Sequence, residues 1–80
     1  MKIPRDLSGN DLIKALKSYG YIATRQTGSH IRLTTQQEGT HHVTIPNHSP
    51  IKIGTLSAII ADIALHFNKP KEILLAELFG

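Results

Sequence analysis

The sequence predicts an α+β fold of two layers, in which helices cover one face of a three-stranded antiparallel sheet. Apolar residues recur at helical spacing near both ends of the chain, and apolar and polar residues alternate between them as in strands. Short turn-forming segments separate the strands, which favours antiparallel pairing of neighbours. The expected order is therefore one helix, three strands, a second helix and a short extra helix at the C-terminus.

The first helix is predicted to begin at Ser8 and to end before Gly20. Ser8 is a good N-cap, and Asp11 stands three residues later, which approximates a capping box. Leu12 and Leu16 lie at helical spacing within the segment. Gly20 is a natural stop because glycine adopts the left-handed conformation that ends many helices.

Three strands are predicted, over residues 21–26, 30–35 and 41–46. Thr27-Gly28 is a turn signal, and residues 36–40 form a hairpin loop. In the second and third strands apolar residues alternate with polar ones, so that the apolar set faces the helices. The opposite side, called the open face below, is predicted to gather these side chains: His30, Arg32, Thr34, His42 and Thr44.

Two further helices are predicted in the last third of the chain. One starts near Gly54-Thr55, and Phe67-Asn68 interrupts it. Pro70 suits the first turn of a third helix, and the last ten residues are dense in leucine and isoleucine. We therefore expect one domain over 1–80, with its core in 3–66 and with 68–80 as an extension that adds to that core.

Composition excludes several classes of protein. The 80 residues contain no cysteine, so disulfides, thiolate nucleophiles and cysteine-bound zinc are excluded. No apolar run is long enough to cross a membrane and the first residues show no signal region, which predicts a cytoplasmic protein. The net charge is +3, and the basic excess lies in residues 1–60. This balance fits a phosphate-bearing partner, but a charge of this size taken alone favours a solvated mixed surface.

The open face is the predicted functional site. A histidine titrates near neutrality and can act as a general acid or base, and His30 and His42 share this face. Arg32 can bind a phosphate group through two hydrogen bonds, and Lys52 and Ser29 are expected to add phosphate contacts. An alternative stays open at this point, because exposed histidines on a sheet are often merely tolerated polar residues.

Neither a metal site nor a cofactor is predicted. Adjacent residues of a strand point to opposite faces, so His41 and His42 cannot bind one ion together. His30, His42 and His48 are able to converge, yet no carboxylate stands near them and their spacing matches no standard zinc pattern. Ser29 precedes His30 directly, which separates the two side chains and argues against a nucleophile and its base. The chain also lacks a glycine-rich phosphate loop.

Four segments, over 7–12, 25–33, 42–48 and 51–56, resemble the HicA family of mRNA interferase toxins. They include Gly28-Ser29-His30 and occur in the family's order and spacing. The similarity covers roughly residues 3–60, and the last residues of the chain continue beyond it.

The resemblance implies an α-β-β-β-α fold like that of a double-stranded-RNA-binding domain. It implies ribosome-independent cleavage of mRNA, without a metal ion, by the single histidine of the Gly-Ser-His motif, which is His30 here. It further implies a HicB-type antitoxin that covers the site in a hetero-oligomer, with operator DNA bound on the antitoxin side. Two alternatives are a non-catalytic RNA-binding module that uses the same face and a partner protein that has lost toxicity.

Overall fold

The computed structural model describes residues 3–80, and the element order agrees with the α+β prediction. Met1 and Lys2 lie outside the described residues. The charge of Lys2 and the first two residues of the segment considered for a signal region therefore lie outside them too. The elements are α1 (Gly9–Leu16), β1 (Ile22–Thr27), β2 (His30–Thr35), β3 (His41–Pro46), α2 (Ile53–His66) and α3 (Lys71–Phe79).

Helix α1 begins with the predicted capping box. The Asp11 amide donates to Ser8 Oγ over 3.1 Å, and the Ser8 amide donates to Asp11 Oδ2 over 3.2 Å. Hydrogen bonds from the Ser8 backbone amide and from the Ser8 side chain lower the pKa of the Asp11 carboxyl, since they stabilise its charged form. The last turn tightens into a 3₁₀ segment, Lys17–Tyr19, and Gly20 ends it with a φ of 78°.

The three strands form one antiparallel sheet in the order β1-β2-β3. Leu33 pairs with Val43 and Ile31 pairs with Ile45, and all four are buried on the side that the helices cover. These four residues belong to the hydrophobic core between the sheet and the helices, whose burial stabilises the fold. The predicted fold class, including the open side of the sheet and the extra C-terminal helix, is therefore confirmed.

Strand β1 is an exposed edge. Every residue from Ile22 to Thr27 is exposed, and Ile22 keeps 63% of its surface in water. Helices α1 and α2 contact β3 more extensively than β1, so this edge is the less covered side of the sheet. The register shifts between Ala23 and Arg25, which leaves Thr24 as the extra residue of a β-bulge.

The C-terminal helices start within a residue of their predicted positions. Helix α2 begins at Ile53, and α3 begins directly after Pro70. Leu74 and Leu75 of α3 are buried and belong to the hydrophobic core. Within residues 3–80 no helix combines the length and the apolar character needed to span a membrane.

A cluster of polar side chains joins the C-terminal extension to the 3₁₀ segment that follows α1. The Tyr19 hydroxyl donates to Glu77 Oε1 over 2.6 Å, and Lys69 Nζ donates to the same oxygen over 2.7 Å and to Tyr19 Oη over 2.9 Å. The Lys69 and Tyr19 hydrogen bonds lower the pKa of the Glu77 carboxyl. The Glu77 bond in turn raises the pKa of Lys69.

Glu77→Gln is expected to lower the melting temperature near neutral pH and to have a much smaller effect at about pH 3. A carboxyl whose pKa is lowered by folding stabilises the protein above its ordinary pKa of 4.5, and this contribution is lost as the pH falls through the folded value. Thermal unfolding of both proteins at the two pH values measures the difference. An equal loss at both would show that the Glu77 charge contributes nothing.

Candidate functional site

Strand pairing places three rows of side chains on the open face. Directly paired residues of antiparallel strands project to the same side, and every second residue along a strand does so too. The first row holds a histidine, the second holds two arginines and the third holds another histidine. The three rows are Thr27, His30 and Pro46; Arg25, Arg32 and Thr44; and Ile22, Thr34 and His42.

Two of the shallow depressions on this side of the molecule are lined by His30. The arginine depression, of about 400 Å³, is lined by Arg25, Thr27, His30, Arg32, His42 and Thr44. The lysine depression, of about 310 Å³, is lined by His30, Thr44, Pro46, His48, Lys52 and Thr55. His30 and Thr44 line both, so the His30 side chain stands where the two depressions meet.

Both depressions are suited to an anion. Arg25 and Arg32 carry fixed positive charge in one, and Lys52 carries it in the other, while no carboxylate belongs to either lining. Arginine presents a planar fork of donors that matches two oxygens of a phosphate group. The arrangement therefore combines phosphate-binding cations with a histidine able to transfer protons.

Backbone hydrogen bonds hold the loop after β3 against the start of α1. The amide of Asn47 donates to Ser29 O over 2.6 Å, and the amide of Gly9 donates to His48 O over 2.9 Å. A Cβ atom at Gly9 would lie 2.7 Å from Pro46 O, so the close approach of helix and loop requires glycine there. These contacts hold the His48 backbone close to the end of β3, near His30.

A chain of side-chain hydrogen bonds holds His42. Its Nδ1 lies 2.8 Å from Thr34 Oγ1, which lies 2.9 Å from Thr24 Oγ1. The Thr24 hydroxyl donates to the carbonyl oxygen of Arg32 over 3.4 Å. Thr34 is only 8% exposed because Thr24 and His42 flank it. It lies on the predicted face of the sheet, but the prediction that it is exposed to solvent is wrong.

Comparison with models of protein families shows which family this chain belongs to. The family model described as the HicA toxin of bacterial toxin–antitoxin systems matches residues 9–65. The chain belongs to the HicA toxin family. No curated protein and no solved structure matches it significantly.

Membership makes this HicA protein the toxin of a toxin–antitoxin system, with a cognate antitoxin as its partner. The match includes the whole sheet and all but the last residue of α2, and α3 lies outside it. Every residue that lines the two depressions therefore belongs to the part that matches the family.

The structure brings four of the five predicted site residues of this HicA toxin to the two depressions. His30, Arg32 and His42 line the arginine depression, and Lys52 lines the lysine depression. Ser29 lies in the exposed turn before β2 and belongs to neither lining, although its carbonyl oxygen holds the following loop. The predicted gathering of polar residues on one face therefore has the expected geometry.

Sequence reasoning missed Arg25, Thr27 and Thr55. The first two lie on β1, whose lack of apolar alternation gave no indication of which residues face outward. A signal was nevertheless available, because a tight turn at Gly28 aligns Thr27 with His30 in an antiparallel hairpin. Thr55 lies in the first turn of α2 and reaches the site only through tertiary packing.

His41 lies on the helix side of the sheet, opposite to His42, as strand alternation predicts. Its Nδ1 lies 2.7 Å from the Tyr21 hydroxyl and its Nε2 lies 3.2 Å from Asp62 Oδ1, while its ring stacks on His66 at 4.4 Å. His41 therefore packs against α2 through its contacts with Asp62 and His66. Across residues 3–80, no group of three or more histidine or acidic side chains is arranged to hold a metal ion.

Proposed function

We propose that this toxin is an endoribonuclease that cleaves mRNA without a metal ion and uses His30 as its catalytic residue. The observation that carries the proposal is the place of His30 at the junction of two depressions lined by arginine and lysine. A polyanion that crosses this face passes over the imidazole while its phosphates contact cations on both sides. The resemblance of Gly28-Ser29-His30 to the family's motif points to the same residue.

RNA carries its own nucleophile, so the protein has few groups to supply. Cleavage requires that the 2′-hydroxyl lose a proton, that charge on the phosphate be stabilised, and that the departing 5′-oxygen gain a proton. His30 performs one of the two proton transfers, a contribution worth on the order of 10² to 10⁴ in rate. Arg32 and Lys52 stabilise the phosphate, and His42 and Ser29 add contacts to the RNA.

The preferred substrate is unpaired RNA. An open, shallow face admits a flexible strand whose ribose is free to reach the in-line geometry of attack. An A-form duplex holds the same hydroxyl in a fixed geometry poorly suited to that attack. Because mRNA is the substrate, the toxin acts in the cytoplasm.

The partner is a HicB-type antitoxin that neutralises the toxin by covering the open face. The cations there have no carboxylate within either lining, so an antitoxin that presents acidic groups would complement them. Covering this face excludes RNA from His30 directly, in a hetero-oligomer of toxin and antitoxin.

Incubation of the purified toxin with a single-stranded RNA in the presence of a chelator tests the proposal. We expect cleavage of the RNA and none of the 2′-deoxy oligonucleotide of the same sequence, because the latter lacks the nucleophile. Binding of the RNA without cleavage would favour the non-catalytic RNA-binding module instead. Cleavage only after a divalent metal is added would contradict the metal-free mechanism.

A further inference from the structure

We propose that His42 is the second acid–base group of this site, and that Thr34 and Thr24 hold its ring in the tautomer whose Nε2 accepts a proton. The proposal rests on the proposed ribonuclease function and adds to it the group that removes the proton from the 2′-hydroxyl. The observations that carry it are three hydrogen bonds on the open face.

The three hydrogen bonds can form together with only one assignment of donors and acceptors. A carbonyl oxygen cannot donate, so the Thr24 hydroxyl donates to Arg32 O. Thr24 has no second proton, so the Thr34 hydroxyl is the donor in the bond between the two threonines. The proton between Thr34 and His42 must then belong to His42 Nδ1. With one proton on Nδ1, the neutral ring carries a free electron pair on Nε2.

The position of His42 suits a proton acceptor for a bound phosphodiester. His30 and His42 line the same depression, and the row of Arg25 and Arg32 lies between their two rows. His42 pairs with Thr34, four residues along β2 from His30, so the two histidine rows are about 13 Å apart along the strands. Two imidazole side chains and one phosphate group between them can bridge that separation.

Each histidine then transfers one proton in the cleavage step. Nε2 of His42 takes the proton of the 2′-hydroxyl as the 2′-oxygen forms a bond to phosphorus. The bond from phosphorus to the 5′-oxygen breaks, and protonated His30 gives its proton to that oxygen. The products are a 2′,3′-cyclic phosphate and a free 5′-hydroxyl, and proton exchange with water restores both rings.

Thr34 is a positioning residue in this scheme, and the tautomer of His42 reports on it directly. Nitrogen-15 NMR of the full chain, at a pH where the histidines are neutral, distinguishes a proton on Nδ1 from one on Nε2. We expect Nδ1–H for His42 in the wild type and in Thr34→Ser, and a shift toward Nε2–H in Thr34→Val. Nε2–H in the wild type would overturn the proposal whether or not the protein cleaves RNA.

Cleavage kinetics test the catalytic part. His42→Ala is expected to lower kcat by about 10² to 10⁴. Thr34→Val is expected to lower kcat by about tenfold or more, with Thr34→Ser restoring most of it, because the valine leaves the wrong tautomer free. Lys17→Ala, which removes an exposed cation behind the sheet, is the control. Circular dichroism confirms that each variant folds.

The pH profile separates a catalytic from a structural role for His42. The charged or titratable groups that face it are Arg25 from β1, and Arg32 and His30 from β2. Loss of the rise in rate with increasing pH in His42→Ala supports a base, whereas an unchanged profile and rate overturns the proposal and leaves His30 as the catalytic group. A wild-type toxin that does not cleave RNA at all overturns both this proposal and the proposed function.

Discussion

Replacing His30 with alanine is expected to lower the rate of RNA cleavage by about 10² to 10⁴ while changing RNA affinity little. The affinity for RNA comes mainly from cations that contact phosphates, and these remain in the variant. The His30 side chain is exposed at the start of β2, so its removal leaves no cavity in the core. Cleavage of a fluorogenic oligonucleotide in a chelator, together with binding of a 2′-O-methyl analogue, measures the two quantities separately.

Gln26→Ala provides a matched control for this experiment. Gln26 is exposed on the same hairpin as His30, but it pairs with Ile31 and therefore belongs to the other face of the sheet. We expect this variant to cleave RNA at the wild-type rate. Undiminished cleavage by His30→Ala would rule out a catalytic role for His30, and an equal loss in Gln26→Ala would show that the hairpin rather than the imidazole is required.

The geometry of β2 and β3 follows from local sequence pattern. Ile31 and Leu33 alternate with polar residues because helices cover one face of these two strands and water covers the other. A short hairpin places the strands side by side, so the face of His30 and the face of His42 are both predictable. This part of the candidate site needs no tertiary information beyond the presence of the helices.

The outward-facing side chains of β1 cannot be predicted in the same way. Its residues are exposed on both sides, so no alternation of apolar and polar residues marks an outward face. The bulge at Thr24 also shifts the period by one residue, which reverses the face of everything on one side of it. Arg25 lies between the bulge and the turn at Gly28, so its face follows from the pairing of Thr27 with His30. Its role was missed because the exposed sequence of β1 does not mark that pairing.

The lysine depression depends on contacts between distant segments. The loop after β3 is held by Gly9 of α1 and by Ser29 of the β1–β2 turn, which are far apart in sequence. No local pattern specifies such a meeting of three segments, although each segment has its own signature. The same holds for the bond between Tyr19 and Glu77, which are 58 residues apart.

The C-terminal helix has the second large expected effect, on stability rather than on catalysis. Leu74→Ala is expected to lower the free energy of unfolding by about 2 to 5 kcal/mol, because Leu74 is fully buried and its truncation leaves a cavity. A chain of this length has a total stability of only about 4 to 12 kcal/mol. One substitution in a helix beyond the family match thus removes a large share of the stability that holds the open face in shape.

Ile73→Ala is the matched comparison, since Ile73 is the adjacent residue of α3 and keeps 51% of its surface exposed. Its truncation removes little buried area, so we expect a loss below about 1 kcal/mol. Urea unfolding of both variants, with unchanged dependence on urea concentration, measures the difference. Similar small losses in both would mean that α3 is a loosely attached extension, and the stability of the open face would then come from α1, α2 and the sheet alone.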